Sequence, residues 1–383
     1  MKSAADIVIV GGGCMGASVA YHLAVRHVTD VVLVERESQL GTGSTGRNAG
    51  GFRHQFSHAA NIALSKESIA LFANFEDVVG YPIDFWPDGY LFLLSSNDSV
   101  QAFRRNVALQ REHGIAVDWL SAAEAVGLCP GLSIDGILAA THCADDGIAD
   151  PNGVTMGFAK AAQSRGVEIR RGEEVTAIET DAGRITGIQT PSGRIATRCV
   201  VNAAGPWSQQ VGAMAGVAVP VAPERRHIFI AQMPEGSLPE SRLMVIDFES
   251  TFYFHREGGG LLFGMGDRDE RSGFDTTVRW DFLPKVIGVA VRRLPALGDA
   301  AITRAWAGLY EMTPDHNPII GPAAAVAGFY TVAGFSGHGF QHSPAAGRII
   351  ADMICGCDPG LDVSPFAPDR FTASQSRAEL NVV

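Results

Sequence analysis

The chain has 383 residues, 46% of them hydrophobic, and a formal net charge of −11. The length allows two domains, and the apolar content excludes a disordered chain. The acidic balance argues against nucleic acid as a partner, which would require a basic face. The first 35 residues predict a βαβ unit. Residues 6–10 form a short β-branched run suited to a buried parallel strand, glycines follow at once, 15–25 reads as a helix, and 31–34 as a second buried strand ending at Glu35. A glycine- and serine-rich stretch over 41–51 leads into Phe52-Arg53-His54. Loops of this kind often meet a ligand. Helices are expected over about 59–76, 99–113, 150–165 and 282–294. Strands are expected at 89–94, 167–169, 174–178, 185–189 and 195–201, with a β-rich region over 219–266. The end repeats the opening theme, with a strand at 328–333, a glycine-rich loop at 334–339 and a helix at 343–355.

The six cysteines, Cys14, Cys129, Cys143, Cys199, Cys355 and Cys357, are scattered and form no disulfide framework, so a reducing cytoplasm is expected. Cys355-Gly-Cys357 lacks a second ligand pair, and no metal site is expected. The apolar run at 7–10 stops at Gly11, too short for a signal-peptide core. No uninterrupted apolar stretch approaches the ~20 residues of a membrane span.

Gly11-Gly12-Gly13-Cys14-Met15-Gly16 matches G-x-G-x-x-G between a strand and a helix, and a second strand ends in Glu35. Each part has a physical task in holding a dinucleotide. Gly11 allows the tight turn, Gly13 lets the backbone approach a pyrophosphate, and Gly16 lets helix and strand pack closely. The helix N-terminus offers free N–H groups to the phosphates. Glu35 is spaced to accept bonds from ribose hydroxyls. The fingerprint does not separate FAD from NAD. Three further loops at strand ends (41–51, 202–207 and 334–339) suit a long cofactor with an extra ring system.

Ser44-Thr45-Gly46-Arg47-Asn48, Phe52-Arg53-His54-Gln55-Phe56, Asn202-Ala203-Ala204-Gly205-Pro206-Trp207 and Gly334-Phe335-Ser336-Gly337-His338-Gly339-Phe340 together carry a resemblance. Over nearly its whole length the chain resembles the D-amino-acid oxidase/sarcosine oxidase class of FAD enzymes. It is most similar to the branch with monomeric sarcosine oxidase and the β subunits of sarcosine oxidase and proline dehydrogenase. The resemblance implies an α/β fold of glutathione-reductase-2 type: a Rossmann-like FAD-binding domain (1–80, 141–220 and 318–383) and an α+β substrate domain with an antiparallel sheet (81–140 and 221–317). It implies oxidation of the C–N bond of an amino acid, secondary or tertiary at nitrogen, to an imine.

Residue by residue, the resemblance assigns to the cofactor the glycine turn with Cys14 and Met15, then Glu35 and Arg36. Ser44, Thr45, Arg47 and Asn48 are expected along the pyrophosphate and flavin edge, and Val175 at the adenine. Ala204, Gly205, Trp207 and Gly308 are expected to face the cofactor, and Gly337, His338, Gly339, Phe340 and Gln341 to run beside the isoalloxazine. Arg53 matches the arginine that grips the substrate carboxylate; its planar fork suits that task. Tyr253 and Tyr310 match active-site tyrosines, equally readable as core aromatics with satisfied hydroxyls. His54, His338 and Gln341 are further candidates near the reacting atoms.

Three departures carry expectations. The cysteine that bears a covalent flavin in one relative is Gly308 here, and 44–51 contains no histidine, so FAD is expected to be noncovalent. A lysine that helps hold the carboxylate is Gln341. A lysine that activates oxygen aligns with Leu262, which implies slow reaction with oxygen and hence a dehydrogenase; the electron acceptor, oxygen or a redox partner, stays open. A catalytic or assembly subunit of a larger amine dehydrogenase complex, a flavin-binding protein without amine turnover, and a nicotinamide enzyme remain open at this point.

Overall fold

Four consecutive β-branched residues, Ile7–Val10, are buried on both faces, the environment of a central strand in a parallel sheet. The computed structural model describes residues 2–371 and 377–382. In it Ile7–Val10 pairs in parallel with Val31–Glu35 on one side and Cys199–Asn202 on the other. Phe329–Ala333, Ile319–Pro322 and Glu168–Arg171 complete a six-stranded sheet. All its pairings are parallel except that of Ile319–Pro322 with Phe329–Ala333. Helix Cys14–Val25 packs against helices Pro151–Gln163 and Gly339–Cys355. A three-stranded antiparallel sheet, Ala177–Asp181, Arg184–Thr190 and Gly193–Ala196, shares a core with the sheet residues Val8, Val10 and Val32.

The second large sheet has eight strands, running in space from Ala301–Met312 through Ala222–Gln232, Gly260–Met265, Phe252–Glu257, Met244–Asp247, Tyr90–Leu94 and Ala139–Cys143 to Val117–Leu120. Its pairings are antiparallel except that of Met244–Asp247 with Tyr90–Leu94. Strand alternation divides its residues between two destinations. Phe229, Val245, Phe252 and Phe254 join a core with Val286 and Ala290 of helix Leu283–Arg293. Their neighbours Ile228, Met244, Ile246 and Tyr253 face a cavity between the two sheets. The α/β class, with a parallel sheet joined to a largely antiparallel one, is as expected. Among the described residues no helix is long and apolar enough to cross a membrane.

Three elements differ from expectation. The run at 195–201 is two strands in two sheets, because Thr197 turns the chain: its hydroxyl donates to the carbonyls of Asp6 and Cys199 (3.0 and 3.1 Å). The strand expected at 174–178 begins only at Ala177, and Glu173, Glu174 and Val175 line the cavity instead. Strand Ala139–Cys143, which a boundary at 141 would cut, lies wholly in the second sheet. The expected domain ranges also include residues 1, 372–376 and 383, which lie outside the described residues.

Candidate active site

The cavity holds about 550 Å³ and runs from Glu35, Arg36 and Val175 at one end to Arg53, Tyr90 and Tyr253 at the other. That volume suits a cofactor with a small substrate beside it. Its first wall is the glycine turn. Gly11 has φ +111°, and a Cβ there would lie 2.4 Å from the Ala203 carbonyl oxygen. A Cβ on Gly16 would lie 1.9 Å from the Gly11 carbonyl oxygen, so helix and turn touch through bare backbone. Gly16 does not line the cavity; it lets Gly11, Gly13, Cys14 and Met15 do so. No acidic residue occupies the first turn of helix Cys14–Val25, which leaves its N-terminus open to anions. Burial pushes the Cys14 thiol up to about 11, so it stays neutral beside that site.

Glu35 is held by the turn it serves. One carboxylate oxygen accepts from Gly12 N–H (2.7 Å) and the other from Glu37 N–H (2.8 Å). The Arg36 guanidinium lies 3.8 Å above the Trp207 ring, and Trp207 stacks on Phe274 (5.6 Å between centroids). Trp207 follows Ala204 and Gly205 along the same rim.

The 41–51 stretch is an ordered loop. Ser44 Oγ donates to the Leu309 carbonyl (2.6 Å), Arg47 Nη1 to the Ala307 carbonyl (2.8 Å), and Trp306 Nε1 to the Arg47 carbonyl (3.0 Å). Thr45 Oγ1 accepts from Cys14 N–H (3.2 Å), and Asn48 Nδ2 donates to the Thr45 carbonyl (2.5 Å). All four residues line the cavity, but Ser44 and Arg47 clamp the loop to strand Ala301–Met312, Thr45 clamps it to helix Cys14–Val25, and Asn48 ties the loop to itself. Gly308 fits that clamp: a Cβ there would lie 2.9 Å from Arg47 Cβ.

The 334–339 loop closes the opposite wall. Gly337 has φ +99° and sits against the Tyr310 ring, with room for no Cβ. His338 Nε2 pairs with the His316 carbonyl (3.1 Å), and burial together with the Arg53 charge holds this histidine near 3, hence neutral. Gly339 and Phe340 open helix Gly339–Cys355 along the cavity.

Arg53 is 5% exposed. Its Nη1 donates to the Gln55 carbonyl, its Nη2 to the Asn381 carbonyl, and the Phe56 ring lies 3.9 Å from its carbon. No carboxylate among the described residues pairs with it. Burial pulls it down, and the nearby charges of Glu379 and Asp146 offset this only in part. Gln341 accepts from Arg53 N–H (2.6 Å), so it steadies the arginine's backbone. Tyr90, Tyr253 and Tyr310 wall the same end, each pushed up by burial and so neutral.

His54 is the candidate that the structure moves away from the site. It does not line the cavity; its Nδ1 and its backbone N–H both meet Asp146 Oδ1 (2.8 and 2.7 Å). The reason is local: Arg53 points inward, and the next residue in extended chain points the other way. His54, Cys143 and Asp146 bring ligand-type atoms within 4.8 Å of one another. The Asp146 carboxylate already accepts three bonds there, the third from Gln55 Nε2 (3.1 Å).

Among the cavity residues that sequence reasoning missed are Tyr90, Arg226, Phe274 and Glu311. Arg226 lies 4.8 Å from the Tyr310 ring, and its Nε has no partner among the described residues. Glu311 accepts from Gly334 N–H (2.9 Å), and burial raises its carboxyl to about 7. Leu262, by contrast, pairs with Ile230 and His255 inside the sheet and does not line the cavity. Arg53 and Arg226 are the cations that line its inner end.

Residues 6–353 match the protein family described as FAD dependent oxidoreductase. FAD-dependent oxidoreductase domain-containing protein 1 of Xenopus laevis is 32% identical over 99% of this chain and 85% of its own length. Dimethylglycine dehydrogenase of Rattus norvegicus is 30% identical over 97% of this chain, which spans only 45% of that protein. The crystal structure of L-proline dehydrogenase from P. horikoshii superposes with a TM-score of 0.91 at 34% identity, covering 98% of this chain and 100% of that one. The Glu35 carboxylate suits the adenosine ribose of FAD, the glycine turn with its open helix N-terminus the pyrophosphate, and the three-loop cavity the flavin, and the chain belongs to the FAD dependent oxidoreductase family.

Proposed function

We propose that the chain oxidises the C–N bond of a small amino acid, secondary or tertiary at nitrogen, to an imine, with its FAD held noncovalently. One observation carries this reading: a buried guanidinium, Arg53, lies at the inner end of a cofactor cavity with no carboxylate partner among the described residues. A buried cation without a counterion is costly, and a substrate carboxylate supplies the missing charge. Two of its five N–H donors go to carbonyls, which leaves three for the substrate. The relatives named for dimethylglycine and proline support a small N-substituted amino acid as the substrate class.

In this reading Arg53 orients the substrate, and Gln341 holds the backbone that carries Arg53. The three tyrosines exclude water and present neutral hydroxyls. His338 stays neutral and acts as a wall, not as a cationic acid. Bound flavin supplies a two-electron acceptor for the α C–H hydride. The substrate amine must reach the site neutral, and the imine hydrolyses in water. The residues at 1–80, 141–220 and 318–383 form the cofactor part in this proposal, and those at 81–140 and 221–317 the substrate part, with the whole of Ala139–Cys143 moved to the latter.

The test is anaerobic mixing with a panel of primary, N-methyl and cyclic amino acids. Bleaching of the flavin band by an N-substituted member supports the proposal, and admission of air then tells oxygen from a protein acceptor. An unbleached band with every member refutes it. Acid precipitation should leave FAD in the supernatant, since position 308 is glycine rather than cysteine and the 44–51 loop contains no histidine. A second reading, a catalytic or assembly subunit of a larger complex, draws on Trp280 (58% exposed) and Phe274 (42%). Isolation from the native host with a fixed partner would favour it. The free cysteines suit a reducing compartment such as the cytoplasm.

A further inference from the structure

We propose that residues 379–382 form a wall of the substrate subsite and set the size of the carboxylate it accepts. The inference rests on the reading of Arg53 given above. The Asn381 carbonyl takes one Nη of Arg53, and Val382 lines the cavity beside it. This short segment therefore occupies the space next to the fork that would receive the substrate.

Buried polar groups, rather than apolar contact, hold the segment there. Glu379 and Asn381 are each 1% exposed, whereas Leu380 between them is 60% exposed. One Glu379 oxygen accepts from Ser57 N–H (2.8 Å), Ser57 Oγ (2.6 Å) and Asn381 N–H (3.0 Å); the other accepts from Asn61 Nδ2 (2.9 Å). Asn381 donates to the Gln55 carbonyl (3.1 Å) and accepts from Asn106 Nδ2 (3.0 Å). A buried carboxylate satisfied by four donors is a strong anchor, and breaking it leaves an uncompensated charge. The anchor also acts on Arg53, because Glu379 contributes the largest of the charges that offset the burial of that guanidinium. The same segment thus tunes the arginine and limits the room beside it.

The experiment uses FAD-loaded protein and two carboxylates of different bulk, acetate and benzoate, with affinities read from perturbation of the flavin spectrum. Wild type, Val382→Gly and Glu379→Gln are compared. Val382→Gly enlarges the cavity without touching the anchor, and Glu379→Gln loosens the anchor at a residue that does not itself line the cavity. The expected result is a rise of tenfold or more in the benzoate-to-acetate affinity ratio for Val382→Gly, with a rise in the same direction for Glu379→Gln. A ratio unchanged in both variants, with acetate still bound by wild type, overturns the role of the segment alone. If neither carboxylate perturbs the wild-type spectrum, the reading of Arg53 falls and this inference falls with it.

Discussion

Along the cavity the walls change character. At Gly11, Gly13, Gly41 and Gly43, and again at Gly337 and Gly339, they are bare backbone, with Gly11 and Gly337 brought closer to their neighbours than any side chain permits. Around Arg53 they are side chains, Tyr90, Arg226, Tyr253 and Tyr310 standing on the eight-stranded sheet, with Val382 added from elsewhere in the chain. A wall made of backbone serves a cofactor whose shape is constant. A wall made of side chains can be changed one residue at a time while the sheet behind it stays the same. The comparison predicts that substitutions at the two ends separate cleanly, one class affecting flavin retention and the other affecting carboxylate binding.

The largest effect belongs to the backbone end. Gly16→Ala drives a Cβ to 1.9 Å from the Gly11 carbonyl oxygen, and the turn must open. Overpacking of this kind costs about 1–3 kcal/mol, which falls on the geometry that receives the pyrophosphate, so FAD affinity should drop about tenfold or more. The flavin-to-protein absorbance ratio after gel filtration checks this. Full flavin content in the variant would mean the turn is not the tight element described here. At the other end, Arg53→Lys replaces a fork with a point charge. A charge-assisted bond is worth about 1.5–3 kcal/mol, so the Kd of acetate should rise about 10- to 100-fold while flavin content is unchanged. Loss of both together would break the comparison.

The two ends also differ in how far the sequence reveals them. Gly11, Gly13, Gly16 and Glu35 are legible because only glycine fits such contacts and because the flanking strands are continuous apolar runs. The 334–339 loop is legible for the same reason. Tyr90, Arg226 and Glu311 are not. Each is an ordinary residue in a strand, and its role follows from pairing across long sequence distances, such as Arg226 opposite Gly308. Strand Ala301–Met312 shows little regular alternation because one end clamps the 41–51 loop while the other packs at the sheet edge. The segment 379–382 carries no motif at all. Its place is set by a buried glutamate, the residue type that composition rules assign to the surface.

Glu311 lies where the two ends meet and gives the next effect. Burial raises its carboxyl from 4.5 to about 7, so the folded protein holds that proton more tightly than the unfolded chain does. The stability it contributes is fully present below the unfolded value and is lost as pH rises through about 7. Glu311→Gln removes the titration while keeping an acceptor for Gly334 N–H. The fall in Tm between pH 5.5 and pH 8 should therefore be smaller in the variant than in wild type. An equal fall in both proteins would show that the carboxyl does not titrate in this window.

The smallest effect tests whether the cofactor end is backbone throughout. Its outer rim is the exception, because Arg36, Trp207 and Phe274 stack there in sequence, side chain on side chain. Phe274 comes from the loop that follows the Gly260–Met265 strand, so the eight-stranded sheet reaches across to brace the Arg36 end of the cavity. An aromatic pair of this kind is worth about 0.5–1.5 kcal/mol, and Phe274→Ala should weaken FAD about two- to tenfold. Fluorescence titration of apoprotein with FAD measures it, and acetate binding to the reconstituted variant should match wild type. If FAD affinity is unchanged, Trp207 holds its plane on Arg36 alone, and the cofactor end takes nothing from the second sheet at its rim. If acetate binding shifts as well, the 266–282 segment couples the two ends, and their separation holds for the inner cavity but not for its mouth.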